Sequence, residues 1–168
     1  MKRSILFLLN CCALGACAAR TDTPKHDYIV HFTPGAGCEN AIIEQIKSAE
    51  IMRIAVYSIT NPAIGDAIIS AHNRGADIRI ISDRTQAKNK ASLIENFRTA
   101  GIPVALNVGH KIEHNKFAVF DNKTIITGSY NWTSNATKYN SENCIIQTAP
   151  AAEYSARFDT LWNKYTAH

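Results

Sequence analysis

The chain has 168 residues, 46% of them hydrophobic and 19% charged, and a formal net charge of +4. That length suits one compact domain, and that balance excludes both a disordered tail and a membrane-embedded bundle. Eight glycines and five prolines exclude collagen-like and low-complexity chains. At the N-terminus, Lys2 and Arg3 precede an apolar run from Ile5 to Ala16, and small residues follow to Ala19. This is the three-part pattern of a secretory signal peptide, and the run is short for a bilayer span. The expected organisation is a signal over residues 1–19, a short linker over 20–27 containing Pro24, and one domain over 28–168. Leu14-Gly15-Ala16-Cys17 also resembles a bacterial lipobox, in which Cys17 would become a lipidated first residue. The protein is therefore expected to be exported, either to the periplasm or medium or as a membrane-anchored lipoprotein. Loss of Lys2 and Arg3 takes the basic count from 18 to 16 against 14 acids, a mature charge of +2 and a weak pointer to nucleic acid. Cys11, Cys12 and Cys17 leave or are lipidated. Cys38 and Cys144 remain, and one disulfide or two buried thiols both fit, because spacing does not fix their distance.

In chain order, Tyr28–Phe32 is a strand candidate closed by Pro34-Gly35-Ala36-Gly37, which lacks the G-x-G-x-x-G spacing of a dinucleotide loop and reads as a turn. Residues 39–50 carry Ala41, Ile42, Ile46 and Ala49 on one helical face. A strand follows over 51–57. A helix over 62–74 has Asn61 as N-cap, Pro62 at its first position and Gly75 at its stop. A strand over 77–82, a helix over 91–100 stopped by Gly101, and a short strand over 103–106 come next. Lys116–Phe120 and Thr124–Thr127, separated by Asp121-Asn122-Lys123, predict a hairpin. A strand over 142–148 and a closing helix over 150–165, with Tyr154, Phe158, Leu161 and Trp162 on one face, complete the chain. The expected fold is α/β, a mixed β-sheet flanked by helices on both faces in a single domain.

One stretch concentrates chemistry: His114-Asn115-Lys116-Phe117-Ala118-Val119-Phe120-Asp121, then, after six residues, Gly128-Ser129-Tyr130-Asn131. Residues two apart on a strand share a face, so His114 and Lys116 point together, as do Ser129 and Asn131. The hairpin returns the second pair towards the first. Asp121 is five residues from Lys116, on the opposite parity, and reads as a structural partner. A His is a nucleophile or general acid near neutral pH, while Lys, Asn and Ser supply charge and donors for an anionic centre such as a phosphodiester. Glu142 could accept from the far nitrogen of His114 and fix its tautomer.

These residues match H-x-K-x4-D-x6-G-S-x-N, the signature of the phospholipase D superfamily, at every specified position. Phe32-Thr33-Pro34-Gly35, Ala55–Thr60 and Ile80–Arg84 resemble the family's earlier strands, so the likeness covers nearly all of 27–166. In size and export the chain resembles the small bacterial endonucleases of the Nuc group, with one such motif per chain. The resemblance implies a phosphohistidine at His114, phosphate oxygens held by Lys116 and Asn131, a further contact from Ser129, Glu142 as the acid that orients the His, and Asp121 in a structural role. It implies no cofactor. A covalent two-step mechanism needs a second His to protonate the leaving oxygen. His72-Asn73-Arg74 lacks the Lys, so an isologous homodimer with a shared active site is expected.

A catalytic metal is not expected: there is no H-E-x-x-H or D-x-D, and Glu113 and His114 alternate in facing. Gly128-Ser129-Tyr130 lacks the nucleophile elbow, so Ser129 is read as a donor. Tyr130, Trp132, Tyr139 and Lys138, with the basic loop Arg84, Lys88 and Lys90, suit either a nucleic-acid strand or plain packing and solvation, with Trp132 read as packing a dimer core. Three functions follow. The first is a metal-independent, non-specific endonuclease on DNA or RNA. The second is a phospholipase D acting on phospholipid headgroups. The third is an inactive module that binds nucleic acid.

Overall fold

The computed structural model describes residues 28–148 and 151–167. The expected signal peptide, lipobox and linker lie outside the described residues. Seven strands form one mixed sheet: β1 (Tyr28–Phe32), β2 (Ile51–Val56), β3 (Asp77–Ser82), β4 (Val104–Leu106), β5 (Lys116–Phe120), β6 (Thr124–Gly128) and β7 (Asn143–Gln147), in the order β1-β7-β6-β5-β2-β3-β4. β2, β3 and β4 run parallel, and every other pairing is antiparallel. The helices are α1 (Gly37–Ser48), α2 (Pro62–Asn73), α3 (Ile94–Thr99), α4 (Ser134–Lys138) and α5 (Ala151–Thr166).

Strand parity divides the core in two. On one face Met52, Ile54 and Val56 of β2 with Ala118 and Phe120 of β5 pack beneath α1, α2 and α3 through Ile42, Ile46, Ile64, Ile68 and Phe97. On the other, Ala55, Ile81, Phe117, Val119 and Ile125 pack against Phe158, Leu161 and Tyr165 of α5. Helices thus cover both faces, as the alternating pattern predicts. No helix among the described residues is long and apolar enough to cross a membrane.

Local chemistry explains the boundaries. Asn61 caps α2, its Oδ1 accepting from the Ala63 N–H at 2.9 Å and the Ile64 N–H at 3.4 Å, a contribution of about 1 kcal/mol. At Gly75 the chain leaves that helix with φ +98, where a side chain would be strained. Two expectations need correction. The helix expected over 91–100 begins only at Ile94, because Asn89 and Ser92 turn the chain first, their side chains accepting from the Ala91 and Ile94 N–H groups. The polar stretch 129–141 also contains an unforeseen helix, α4, capped by Thr133, whose hydroxyl accepts from the Ala136 N–H at 3.1 Å.

Cys38 and Cys144 are joined as a disulfide, tying the first turn of α1 to β7 across 106 residues of sequence. That resolves the alternative the spacing leaves open.

Candidate active site

The C-terminal ends of β1, β2 and β6 and the N-terminal ends of β5 and β7 meet at one edge of the sheet. This follows from the register, in which Val56 pairs with Lys116, Gly128 with Cys144 and Phe32 with Asn143. His114 stands exposed two residues before the Val56–Lys116 pair. Its ring packs edge-on against Tyr57, with centroids 4.8 Å apart. The Tyr57 N–H donates to the Asn115 carbonyl at 2.8 Å, so β2 holds the approach to β5 in place. Tyr57 is a site residue that the motif does not reveal. Its hydroxyl accepts from Gln86 Nε2 at 3.0 Å, and its ring also faces Lys116 Nζ at 5.1 Å, within cation–π range.

Lys116 Nζ donates to the His114 carbonyl at 2.7 Å. Burial lowers the pKa of this ammonium below its ordinary 10.5, while the Glu142 and Glu113 carboxylates pull it back up. Ser129 Oγ donates to Glu142 Oε2 at 2.5 Å and accepts from the Asn143 N–H at 3.1 Å. Glu142 Oε1 accepts from Asn140 Nδ2 at 3.0 Å. Asn131 Oδ1 is buried with no hydrogen-bond partner. A buried acceptor left unpaired costs about 1–3 kcal/mol, which only a hydrogen-bond donor on a ligand would recover.

His114, Lys116, Ser129, Asn131 and Glu142 are therefore gathered at this edge, and Asp121 is not. Asp121 lies in the turn just past the far end of β5, its Oδ1 accepting from the N–H groups of Glu50 at 2.9 Å and Ile51 at 2.8 Å; the length of the strand, not its parity, keeps it from the site. The expected contact from His114 to Glu142 is not formed within one chain. Glu142 immediately precedes β7, and its two oxygens are taken by Ser129 and Asn140. Tyr130 and Trp132, considered as stacking platforms, are 2% and 1% exposed. Trp132 packs the core of its own chain rather than a dimer core, and the Tyr130 hydroxyl pairs with Thr137 Oγ1 at 2.7 Å. Tyr139, 76% exposed, and Phe32, 72% exposed, remain open near Glu142.

A cleft of about 400 Å³ opens beside this edge, lined by Ser58, Thr60, Asn89, Thr133, Ser134 and Asn135 among others. Arg84, Lys88 and Lys90 are exposed on the neighbouring loop. Among the described residues no three His, Cys, Asp or Glu side chains come together to hold a metal ion.

The family model described as "Cardiolipin synthase, PLD-like domain" matches residues 42–162. A mitochondrial cardiolipin hydrolase of Chlamydomonas reinhardtii is 40% identical over 114 residues, covering 67% of this chain and 51% of the relative. A phospholipase D of Rickettsia prowazekii is 40% identical over 116 residues, covering 68% of this chain and 57% of the relative. The chain thus spans between half and three fifths of these curated relatives. Among solved structures, the phospholipase D family member Nuc of Salmonella typhimurium superposes with a TM-score of 0.78 at 29% identity, covering 83% of this chain and 96% of that one. NucT of Helicobacter pylori superposes at 0.77 with 26% identity, covering 83% and 98%.

Proposed function

The chain belongs to the phospholipase D superfamily, and from that membership we propose that it is a metal-independent phosphodiesterase acting through a phosphohistidine, with nucleic acid as its substrate. The observation that carries this reading is the gathering of His114, Lys116, Ser129 and Asn131 at one sheet edge, around an imidazole with open access. In the proposed reaction an imidazole nitrogen of His114 attacks phosphorus and the bond from phosphorus to the leaving oxygen breaks. A second imidazole protonates that oxygen. Water then attacks the phosphohistidine, giving its proton to the second imidazole and releasing His114. Lys116 and Asn131 stabilise the charge on the phosphoryl oxygens, and Glu142 holds Ser129 in reach.

The second imidazole is proposed to be His114 of another copy, in an isologous homodimer. Export is proposed on the N-terminal pattern and is supported by the Cys38–Cys144 disulfide, which persists in oxidising compartments. Two observations favour nucleic acid over lipid. The exposed Lys88 and Lys90 flank Asn89 in the wall of the neighbouring cleft, and the structural likeness that covers 83% of this chain is to Nuc and NucT. The phospholipase reading is supported by the names of the curated relatives.

The test places the mature wild type and His114→Ala side by side in excess EDTA. Each receives plasmid DNA, or a phosphatidylcholine and cardiolipin emulsion. DNA cut only by the wild type is the expected result. Headgroup release with intact DNA would make the protein a phospholipase. DNA binding without cleavage of either substrate would leave only the binding module. Mixing His114→Ala with wild type should lower specific activity by more than dilution if the site is shared; proportional dilution would remove the dimer.

A further inference from the structure

Beneath the exposed His114 lies a buried polar chain to which the family signature assigns no part. Glu113 is 2% exposed. Its main-chain N–H donates to Asp83 Oδ2 at 3.0 Å. Asp83 is fully buried, and its Oδ1 accepts from the N–H groups of Thr85 at 2.8 Å and Gln86 at 3.1 Å. Glu113 Oε1 accepts from both the main-chain N–H and the side-chain amide of Asn115. Glu113 Oε2 accepts the Tyr165 hydroxyl at 2.7 Å, from the far end of α5. His110 Nδ1 lies 2.6 Å from the same Tyr165 oxygen, and Lys164 Nζ lies 3.3 Å from His110 Nε2.

The direction of every bond in this chain follows from proton count. A tyrosine hydroxyl has one proton, and Tyr165 gives it to a carboxylate that has none to return. Burial, together with the Glu113 carboxylate, pushes the Tyr165 phenol far above its ordinary pKa, so that proton stays in place. His110 must then donate from Nδ1 to the Tyr165 oxygen, and in the neutral ring that tautomer leaves Nε2 to accept from Lys164. The donors run inward from exposed Lys164 to buried Glu113. They end on the residue just before His114, and the same carboxylate grips the residue just after it.

We propose that Glu113 and Tyr165 are positioning residues for the reaction: by clamping residues 113 and 115 they fix the main chain that presents His114, with His110 as the link that orients the Tyr165 hydroxyl. Asn115 is gripped by its side chain, and its carbonyl is bound to the Tyr57 N–H, so the loop has little room to rotate. A buried carboxylate would be costly here without its donors, and one methionine or leucine would fill the space more cheaply; the clamp is what the charge provides. The inference rests on reading His114 as the nucleophile.

The test uses bis(p-nitrophenyl) phosphate as a plain phosphodiester probe, well below the melting temperature of each variant, with His114→Ala as the blank. Tyr165→Phe is expected to lower kcat about tenfold with KM within twofold, because misplacing a nucleophile slows chemistry rather than binding. In NMR spectra it is expected to shift the His114 imidazole resonances as well as those of His110. Glu113→Gln, whose amide can donate to Tyr165 while its oxygen accepts from Asn115, is expected to retain more activity than Glu113→Ala. A purely structural role would lower melting temperature and leave kcat and the His114 resonances unmoved, and that result overturns the proposal. If Tyr165→Phe does not fold, His110→Ala replaces it, with a smaller shift of the same kind expected. If wild type is no more active than the blank, the phosphodiesterase reading has failed. The His114 resonances then still decide the clamp.

Discussion

Lys116 is held between opposing influences, and its titration follows from their balance. Burial is the largest of them and lowers its pKa, so the ammonium loses its proton at a lower pH than a free lysine would. If the charged form stabilises the transition state, the alkaline limb of kcat/KM should fall below pH 10.5. Lys116→Arg, which stays protonated, should flatten that limb at a reduced maximum rate, because its planar fork does not reproduce a compact ammonium. A pH–rate profile of both proteins checks this. Asn131 makes a second prediction at the same scale. Asn131→Ala should lose on the order of a hundredfold in kcat, the usual effect of removing one preorganised donor. It should not lower the melting temperature, because it also deletes a buried oxygen that has no partner in the free protein. A loss of stability without loss of rate would remove Asn131 from the site.

The β5–β6 hairpin and the β6–β7 pair show how elements divide the signature between structure and chemistry. Asp121 and Asn122 take φ values of +51 and +55, the left-handed pair of a type I′ turn, which Asn and Asp tolerate well. Asp121 also closes the start of β2 through two main-chain donors. Asp121→Ala should therefore cost about 1–3 kcal/mol of stability, read by denaturant titration, with kcat kept at low temperature. Gly128 belongs to the other class. Its φ is +151, and a Cβ there would run into the Asn143 carbonyl oxygen and lie 2.9 Å from Cys144 Cα. Gly128→Ala should force β6 from β7 just where Ser129 meets Glu142, lowering melting temperature and activity together.

At the level of the whole molecule, the disulfide joins the first turn of α1 to β7. It closes a loop of 106 residues, and on chain-entropy grounds such a cross-link contributes about 4–5 kcal/mol. Reduction, or Cys38→Ser with Cys144→Ser, should lower the denaturation midpoint markedly, measured against the oxidised wild type. The sheet is also asymmetric in its cover. Tyr28, Val30 and Phe32 of β1 and Ile145 of β7 lie on the face opposite Cys144, and Tyr28 and Phe32 are exposed. This strip ends at the site edge, so an exposed apolar patch borders the site beside Glu142.

Most strands and the α2 boundary were legible in the chain, because each is set by local terms: alternation of apolar residues, a cap at Asn61, a glycine where φ turns positive. The gathering of His114, Lys116, Ser129 and Asn131 was legible for a related reason, since strand parity and hairpin return fix which side chains share an edge. Asp121 is set apart by the length of β5, which carries it to the opposite end of the strand. What needed three dimensions was every contact between residues far apart in sequence. The pairing of Cys38 with Cys144 depends on how α1 docks on β7, and the partners of Glu142 depend on the β6–β7 register. Trp132 and Tyr130 look polar in context and are buried, because a chain packs by the neighbours it meets in space. The clamp from Tyr165 to Glu113 joins residues 52 positions apart, across a helix and a sheet whose packing no local pattern encodes.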